Sequence, residues 1–243
     1  MADLLRANAE LRKDRIWNWT LPAWYVRLDD GSLFKTCPNA GGCTRFCYAR
    51  NGTYLFSNVK AAHKRNLDLV RDDPQAWRDA MIAELSRSKF RPTGTPRVFP
   101  VSIDDSLFEW AEAGGAAVRV HDSGDFFSRE YLDLWLEIAR AVPDVLFYAY
   151  TKEVAMFKGV DDFPSNFRYL FSYGGLQDDL IDADVDRHAD VFPTMEAMTD
   201  AGYESQDAND LLCVLLPTTR VGITANNIKH FNKKMNGRRF SDL

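Results

Sequence analysis

Three cysteines, Cys37, Cys43 and Cys47, fall within eleven residues at the spacing Cys-x5-Cys-x3-Cys. Three thiols this close cannot all pair with one another, so metal ligation is the chemistry that their clustering suggests. Iron held as a cluster is the expected metal. Ala40, Gly41, Gly42 and Thr44 leave the backbone free to fold over a bulky inorganic centre and to aim N–H groups at its sulfides. Zinc is the rival, although structural zinc usually shows paired Cys-x2-Cys knuckles, which this stretch lacks. Cys213 is the remaining cysteine, among Leu211, Leu212, Val214 and Leu215. That setting suits a core thiol in a strand. It also suits a fourth thiolate if the last strand closes beside the first, and the expected ligand set is Cys37, Cys43, Cys47 and Cys213 around one [4Fe-4S] cluster. A fully ligated cluster would serve electron transfer, sensing or structural support better than substrate chemistry.

Polar residues recur where apolar runs end. Residues 117–121 read as a buried strand opening into Asp122-Ser123-Gly124-Asp125; Thr151-Lys152 and Ser172-Tyr173 follow later runs. In parallel α/β sheets, sites form at the C-terminal ends of the strands, so these residues are expected at one mouth with the cysteines. His121, Asp122, Ser123, Asp125 and Lys152 are the candidate ligand-binding residues. Taken singly, Asp122, Ser123 and Asp125 serve equally well as loop and helix caps. Lys152 could bind a carboxylate or lie in solvent. His63, His188 and His230 read as surface or packing histidines.

The elements that must carry these residues follow from periodicity and punctuation. Residues 2–14 suggest an amphipathic helix, and Trp17, Trp19, Pro22, Trp24 and Tyr25 an aromatic cover for the core, with base stacking as the lesser alternative. Residues 23–28 and 32–35 flank Asp29-Asp30-Gly31 and predict a strand or hairpin leading straight into Cys37. Helices are expected over 54–72, 74–89, 106–113, 128–141 with Ser128 as N-cap, and 195–201. Residues 98–103 look extended, and strands are expected at 145–150, 168–172, 189–192 and 211–216. Six strands with helices between them predict a parallel sheet curved into a partial barrel.

Thr36-Cys37-Pro38-Asn39-Ala40 with Cys43 and Cys47-Tyr48-Ala49, then Val120-His121-Asp122-Ser123-Gly124-Asp125-Phe126 and Phe147-Tyr148-Ala149-Tyr150-Thr151-Lys152, resemble the phage gene product 88 family. The resemblance runs from about Leu33 to Lys152. That family is similar in layout to radical SAM enzymes, whose partial (β/α)6 TIM-like barrel carries cluster cysteines after its first strand. The resemblance implies an iron-sulfur protein of an actinobacterial phage, with S-adenosylmethionine as a further cofactor to consider and no defined reaction. Radical SAM enzymes typically use Cys-x3-Cys-x2-Cys, and the wider spacing here puts reductive cleavage of that cofactor in doubt.

Composition bounds the rest. The 243 residues, 46% of them hydrophobic, support one α/β domain over 1–243, with an N-terminal helical extension and a basic C-terminal tail. No run of about 18 apolar residues is present, so no membrane span is expected. The first fifteen residues do not resemble a secretory signal, which suggests a cytoplasmic chain, and the resemblance implies that the cytoplasm is that of an infected host cell. The net charge of −5 argues against a general nucleic-acid binder. From Arg220 onward, however, Arg220, Lys229, Lys233, Lys234, Arg238 and Arg239 face only Asp242. That tail is either a solvated helix end or an arm contacting host nucleic acid or protein. An unidentified small molecule or host macromolecule is the expected partner. The two functional readings are a cluster-bearing radical-SAM-like protein and a non-enzymatic binding or redox-sensing module.

Overall fold

Residues along the strands alternate between two buried faces, the period-two pattern of a sheet covered on both sides. In the computed structural model, residues 3–225, 233 and 235–242 are described. The order is α1 (Ala9–Lys13), β1 (Ile16–Trp19), β2 (Tyr25–Arg27), β3 (Leu33–Lys35), α2 (Ser57–Asp72), α3 (Pro74–Leu85), α4 (Phe108–Glu112) and β4 (Ala116–Val120). There follow α5 (Arg129–Ala141), β5 (Val145–Thr151), α6 (Val154–Lys158), β6 (Phe167–Ser172), β7 (His188–Phe192), α7 (Met195–Asp200), β8 (Glu204–Ser205), α8 (Leu212–Leu215) and β9 (Arg220–Thr224). Seven strands form one parallel sheet in the order β1-β4-β5-β6-β7-β9-β8, and β2 and β3 form a separate antiparallel hairpin.

The order from β1 to β7 advances in one direction, and right-handed crossovers then put the connecting helices on the same face. On that face Trp17 and Trp19 of β1, Val118 and Val120 of β4 and Phe147 of β5 pack with Trp77 and Met81 of α3 and Trp135 of α5. On the other face Ile16, Ala117, Leu146, Leu170 and Val221 pack against Leu211, Cys213 and Leu215 around α8, and against Leu107. The architecture is a mixed α/β fold with an open sheet; no closure between β1 and β8 occurs among the described residues. Arg6 covers the β1 edge through a bridge to Asn18, which occupies edge groups that would otherwise invite another strand.

Local signals explain the expected elements that formed. Ser128 accepts the Tyr131 N–H at the start of α5, and Asp73 accepts the Ala76 N–H with Pro74 in the first turn of α3. Five expectations need correction. The helix expected over 2–14 is confined to α1, and Arg6 bridges Asn18 instead. The strand of the main sheet that precedes the cysteines is β1, within the aromatic stretch read as core cover, and the predicted hairpin stands outside the sheet. Residues 98–103 form no strand. Residues 211–216, expected as a strand, contain α8: a Leu-rich apolar run of this length has no period that separates helix from strand. The last strand along the described chain is β9 instead, set between β7 and β8 where the tail was expected to begin. Its Gly222 is needed because a β-carbon there would lie 1.9 Å from the Met198 sulfur of α7.

Candidate functional site

Near the C-terminal ends of the strands, the face that carries α8 is not filled by apolar side chains. Arg119 of β4, Tyr150 of β5, Ser172 of β6, Val191 of β7 and Ile223 of β9 line a cavity of about 370 Å³ there. Each lies two residues beyond a residue buried on the same face, so the pleat brings five strands to one mouth. The expectation from strand ends therefore located the cavity. Its rim also takes Cys37, Cys43, Cys47, the 121–125 segment, Thr151 and Lys152.

The cysteine loop is pinned to the ends of β5 and β6. Asn39 donates its N–H to Glu153 Oε1 at 3.0 Å and its side-chain amide to Oε2 at 2.5 Å. Ala40 bridges to Gly175, and the Cys43 N–H donates to the Gly174 carbonyl at 2.9 Å. A methyl carbon on Gly41 would lie 2.7 Å from the Gly175 carbonyl oxygen, so this approach requires glycine. At the loop entry, Trp24 adopts a φ of 65° and donates its N–H to Cys37 Sγ at 3.3 Å.

The 121–125 segment does several separate jobs. His121 has a φ of 71°, and its ring packs on Phe126 and Tyr131. Trp19 Nε1 donates to the Tyr131 hydroxyl, which lies 2.9 Å from His121 Nε2. Burial lowers the His121 pKa to about 3, so the imidazole is neutral. Asp122 accepts from the Tyr54 hydroxyl and lies 3.6 Å from Arg119, and its carbonyl accepts from Tyr48. The Ser123 hydroxyl donates to the Leu21 carbonyl at 2.6 Å. Asp125 is buried and accepts from the Phe126 N–H, the Thr151 hydroxyl and the Lys152 N–H at 2.8–2.9 Å. Burial raises its pKa above the ordinary carboxylate value. Ser123 and Asp125 thus tie loops together, whereas Asp122 belongs to a charged network.

That network centres on Arg119, a cation on an otherwise apolar strand. Asp210 lies 3.3 Å from its guanidinium and accepts from the Tyr148 hydroxyl. The Tyr150 ring centroid is 5.5 Å from Arg119, and the Tyr150 hydroxyl donates to Gln206. The Lys152 ammonium donates to the Ser172 carbonyl and hydroxyl and to the Tyr173 carbonyl at 2.8–2.9 Å. Glu153, 2% exposed, has its pKa raised to about 7 by burial and by the nearby Asp125 charge. Sequence reading missed Arg119, Asp210 and Glu153. An Arg inside the run Ala117-Val118-Arg119-Val120 was a readable signal for the first; nothing marked the other two.

The iron-sulfur expectation is overturned. Among the described residues no group of three or more His, Cys, Asp or Glu side chains is disposed to hold a metal ion. Cys37, Cys43 and Cys47 share a cavity rim without the convergence on one point that cluster or tetrahedral zinc ligation demands. Burial raises the pKa of all three, Asp125 adds to the effect at Cys37, and Lys152 opposes it at Cys43 and Cys47. Neutral thiols are poor nucleophiles. Cys213 sits on α8, fully buried in the core, and does not line the cavity; burial pushes its pKa up to about 12.

The other expected residues are dispersed. His63 lines a second cleft, and His188 is buried between the Asp186 carbonyl and the Tyr203 hydroxyl. Of the basic tail, Arg220 pairs with Asp184 and Arg239 with Asp190 and Asp242, while Lys229, His230 and Lys234 lie outside the described residues. No helix among the described residues is long and apolar enough to cross a membrane.

Comparison with known proteins gives the chain its relatives. It is 30% identical over 132 residues to the Gene 88 protein of Mycobacterium phage L5, covering 52% of this chain and 46% of that relative. It is 27% identical over 128 residues to the Gene 88 protein of Mycobacterium phage D29, with the same coverage. The match thus spans just under half the length of each relative. No solved structure matches the chain. The Gene product 88 family profile matches residues 2–242, and the chain belongs to that family of phage proteins.

Proposed function

We propose that the chain binds a small zwitterionic organic molecule in the cavity at the strand ends, and that its open sheet is a partial barrel whose mouth presents that site. The observation that carries this reading is the separation of charge across the cavity. On one side two carboxylates, Asp122 and Asp210, face the single guanidinium of Arg119. On the other, the Lys152 ammonium donates only to uncharged oxygens, with the Asp125 carboxylate close enough to act on it through space. A ligand with an ammonium or sulfonium at one end and a carboxylate at the other matches both sides. Phe46, Val191, Ile223 and Phe240 supply apolar wall for its remainder, and the volume lies in the usual range for small-ligand pockets. S-Adenosylmethionine, whose sulfonium is set apart from the carbon that carries its carboxylate and ammonium, is the probe of first choice; its binding here requires no metal.

The experiment is calorimetric titration of the full chain with S-adenosylmethionine, S-adenosylhomocysteine and methionine, repeated on Lys152→Met and Asp210→Asn. Saturable binding is expected in the unaltered chain. Each substitution should weaken it about 10- to 150-fold, since a charge-assisted contact contributes about 1.5–3 kcal/mol. No heat with any probe, or binding that both variants leave unchanged, would overturn the reading.

A further inference from the structure

Residues 31–67 contain six Lys and Arg side chains and His63 but no Asp or Glu, in a chain whose other residues hold all 35 of its acids. That stretch folds as β3, the cysteine loop and the first two turns or more of α2. Together with the β2 side of the hairpin it encloses a second cleft of about 350 Å³, lined by Tyr25, Arg50, Tyr54, Leu55, Lys60 and His63 among others. Among the described residues none of that lining is acidic. Ala23 and Ala49 line both this cleft and the strand-end cavity, so the two are neighbours.

We propose that this cleft is a docking site for single-stranded nucleic acid, with a base seated on its aromatic wall and phosphates beside Arg50 and Lys60. Charge supports the partner. Lys60 is exposed and takes part in none of the ion pairs among the described residues, whereas nearby Lys64 is bound to Asp29 and Asp68. Arg50 is exposed and stacks on the Trp24 ring at 4.6 Å, an arrangement that keeps its charge outward. Flat apolar surface supports it too. Tyr25 is 42% exposed and braced edge-on by Trp24 at 4.7 Å, and Phe56, next in the chain to the lining residue Leu55, is 59% exposed. Cations interleaved with exposed rings, on a lining that itself carries no acid and has Asp122 only behind Tyr54, match a polyanion that carries stacking faces. A duplex buries those faces and cannot insert one into a cleft of this size. The net charge of −5 repels nucleic acid elsewhere, so the local patch would also orient the approach.

This inference stands apart from the zwitterion reading, and its test uses different residues. Fluorescence anisotropy of a labelled twelve-residue oligothymidylate is measured against the full chain at about 50 and 200 mM salt. An unlabelled duplex of equal length serves as competitor. Arg50→Glu with Lys60→Glu should weaken binding more than tenfold and flatten the salt slope by roughly 1.4, from two lost phosphate contacts. Tyr25→Ala should weaken it about 5- to 100-fold with the salt slope unchanged, because stacking releases no counterions. Lys13→Glu on α1 should have little effect, and circular dichroism confirms that each variant is folded. The proposal is overturned by absence of binding at the lower salt, by equal competition from duplex, or by an equal loss in the Lys13 variant. Binding that survives Tyr25→Ala intact would overturn it as well.

Discussion

Glu153→Gln tests whether the buried carboxyl behind the cysteine loop holds a proton at the expense of folding at high pH. The Glu153 pKa rises from the ordinary 4.5 to about 7, through burial first and the Asp125 charge second. Between those values the folded chain binds a proton that the unfolded chain has released. Stability supplied by that proton is therefore complete below pH 4.5, falls as pH rises through the window, and is lost above about 7. A rise of this size corresponds to about 3 kcal/mol at most, at about 1.36 kcal/mol per pH unit. Glutamine keeps the acceptor for the Asn39 N–H, and its amide can pair with the Asn39 side chain once that amide turns over. The variant should match the unaltered chain near pH 4.5 and exceed its unfolding free energy by up to about 3 kcal/mol at pH 8. Urea denaturation across pH 4.5–8.5 reads the difference, which cancels the titration of His63, His188 and Asp190. A difference that does not change with pH, or a variant that is the weaker of the two at pH 8, would refute the reasoning. Asn39 would then be holding the carboxylate as an anion.

Other perturbations have equally definite outcomes. Arg119→Met removes the cation between Asp122 and Asp210 and should cost about 3–5 kcal/mol in urea denaturation. Gly124→Ala forces a side chain onto a φ of 87° with its β-carbon 2.6 Å from that of Leu21, and should lower stability by about 2–3 kcal/mol. Cys213 should resist iodoacetamide in the native chain at pH 7.5 and react on unfolding, as mass spectrometry would show, because its pKa is pushed up to about 12. Cys213→Ala should cost about 1–2 kcal/mol of stability and leave ligand titrations unchanged.

Legibility in the sequence followed the strength of local signals. β4, β5 and β6 are runs with strong strand composition, and Ser128 marks the start of α5, so residues 117–172 could be read as they fold except for the five-residue α6, too short to show a period. β1 was hidden because Ile16-Trp17-Asn18-Trp19 is only four residues long and is buried on both faces. β9 was hidden by Gly222, whose reason is a methionine on another element. The strand-end rule gathered His121–Asp125, Lys152 and the three loop cysteines at one cavity. It could not say which way each side chain turns. The His121 ring goes to Tyr131 and Ser123 to Leu21, and the cysteines share a wall without converging. Spacing along a chain fixes how close thiols can come, while the loop's contacts with Gly174, Gly175 and Glu153 fix where they point. Those contacts lie more than a hundred residues away and leave no local trace.

That same separation sets an order of events during synthesis. Asn39, Ala40 and Cys43 find their anchors only when Glu153, Gly174 and Gly175 have left the ribosome. At about 5–20 residues per second, translation keeps the three thiols waiting for roughly 5 to 30 seconds after they emerge. Throughout that interval they lack the burial that later holds them protonated, and they are at their most open to oxidation. Slow translation or oxidative stress would therefore damage this loop before the mature chain exists, so yield would depend on the redox state of the cell more than native stability suggests.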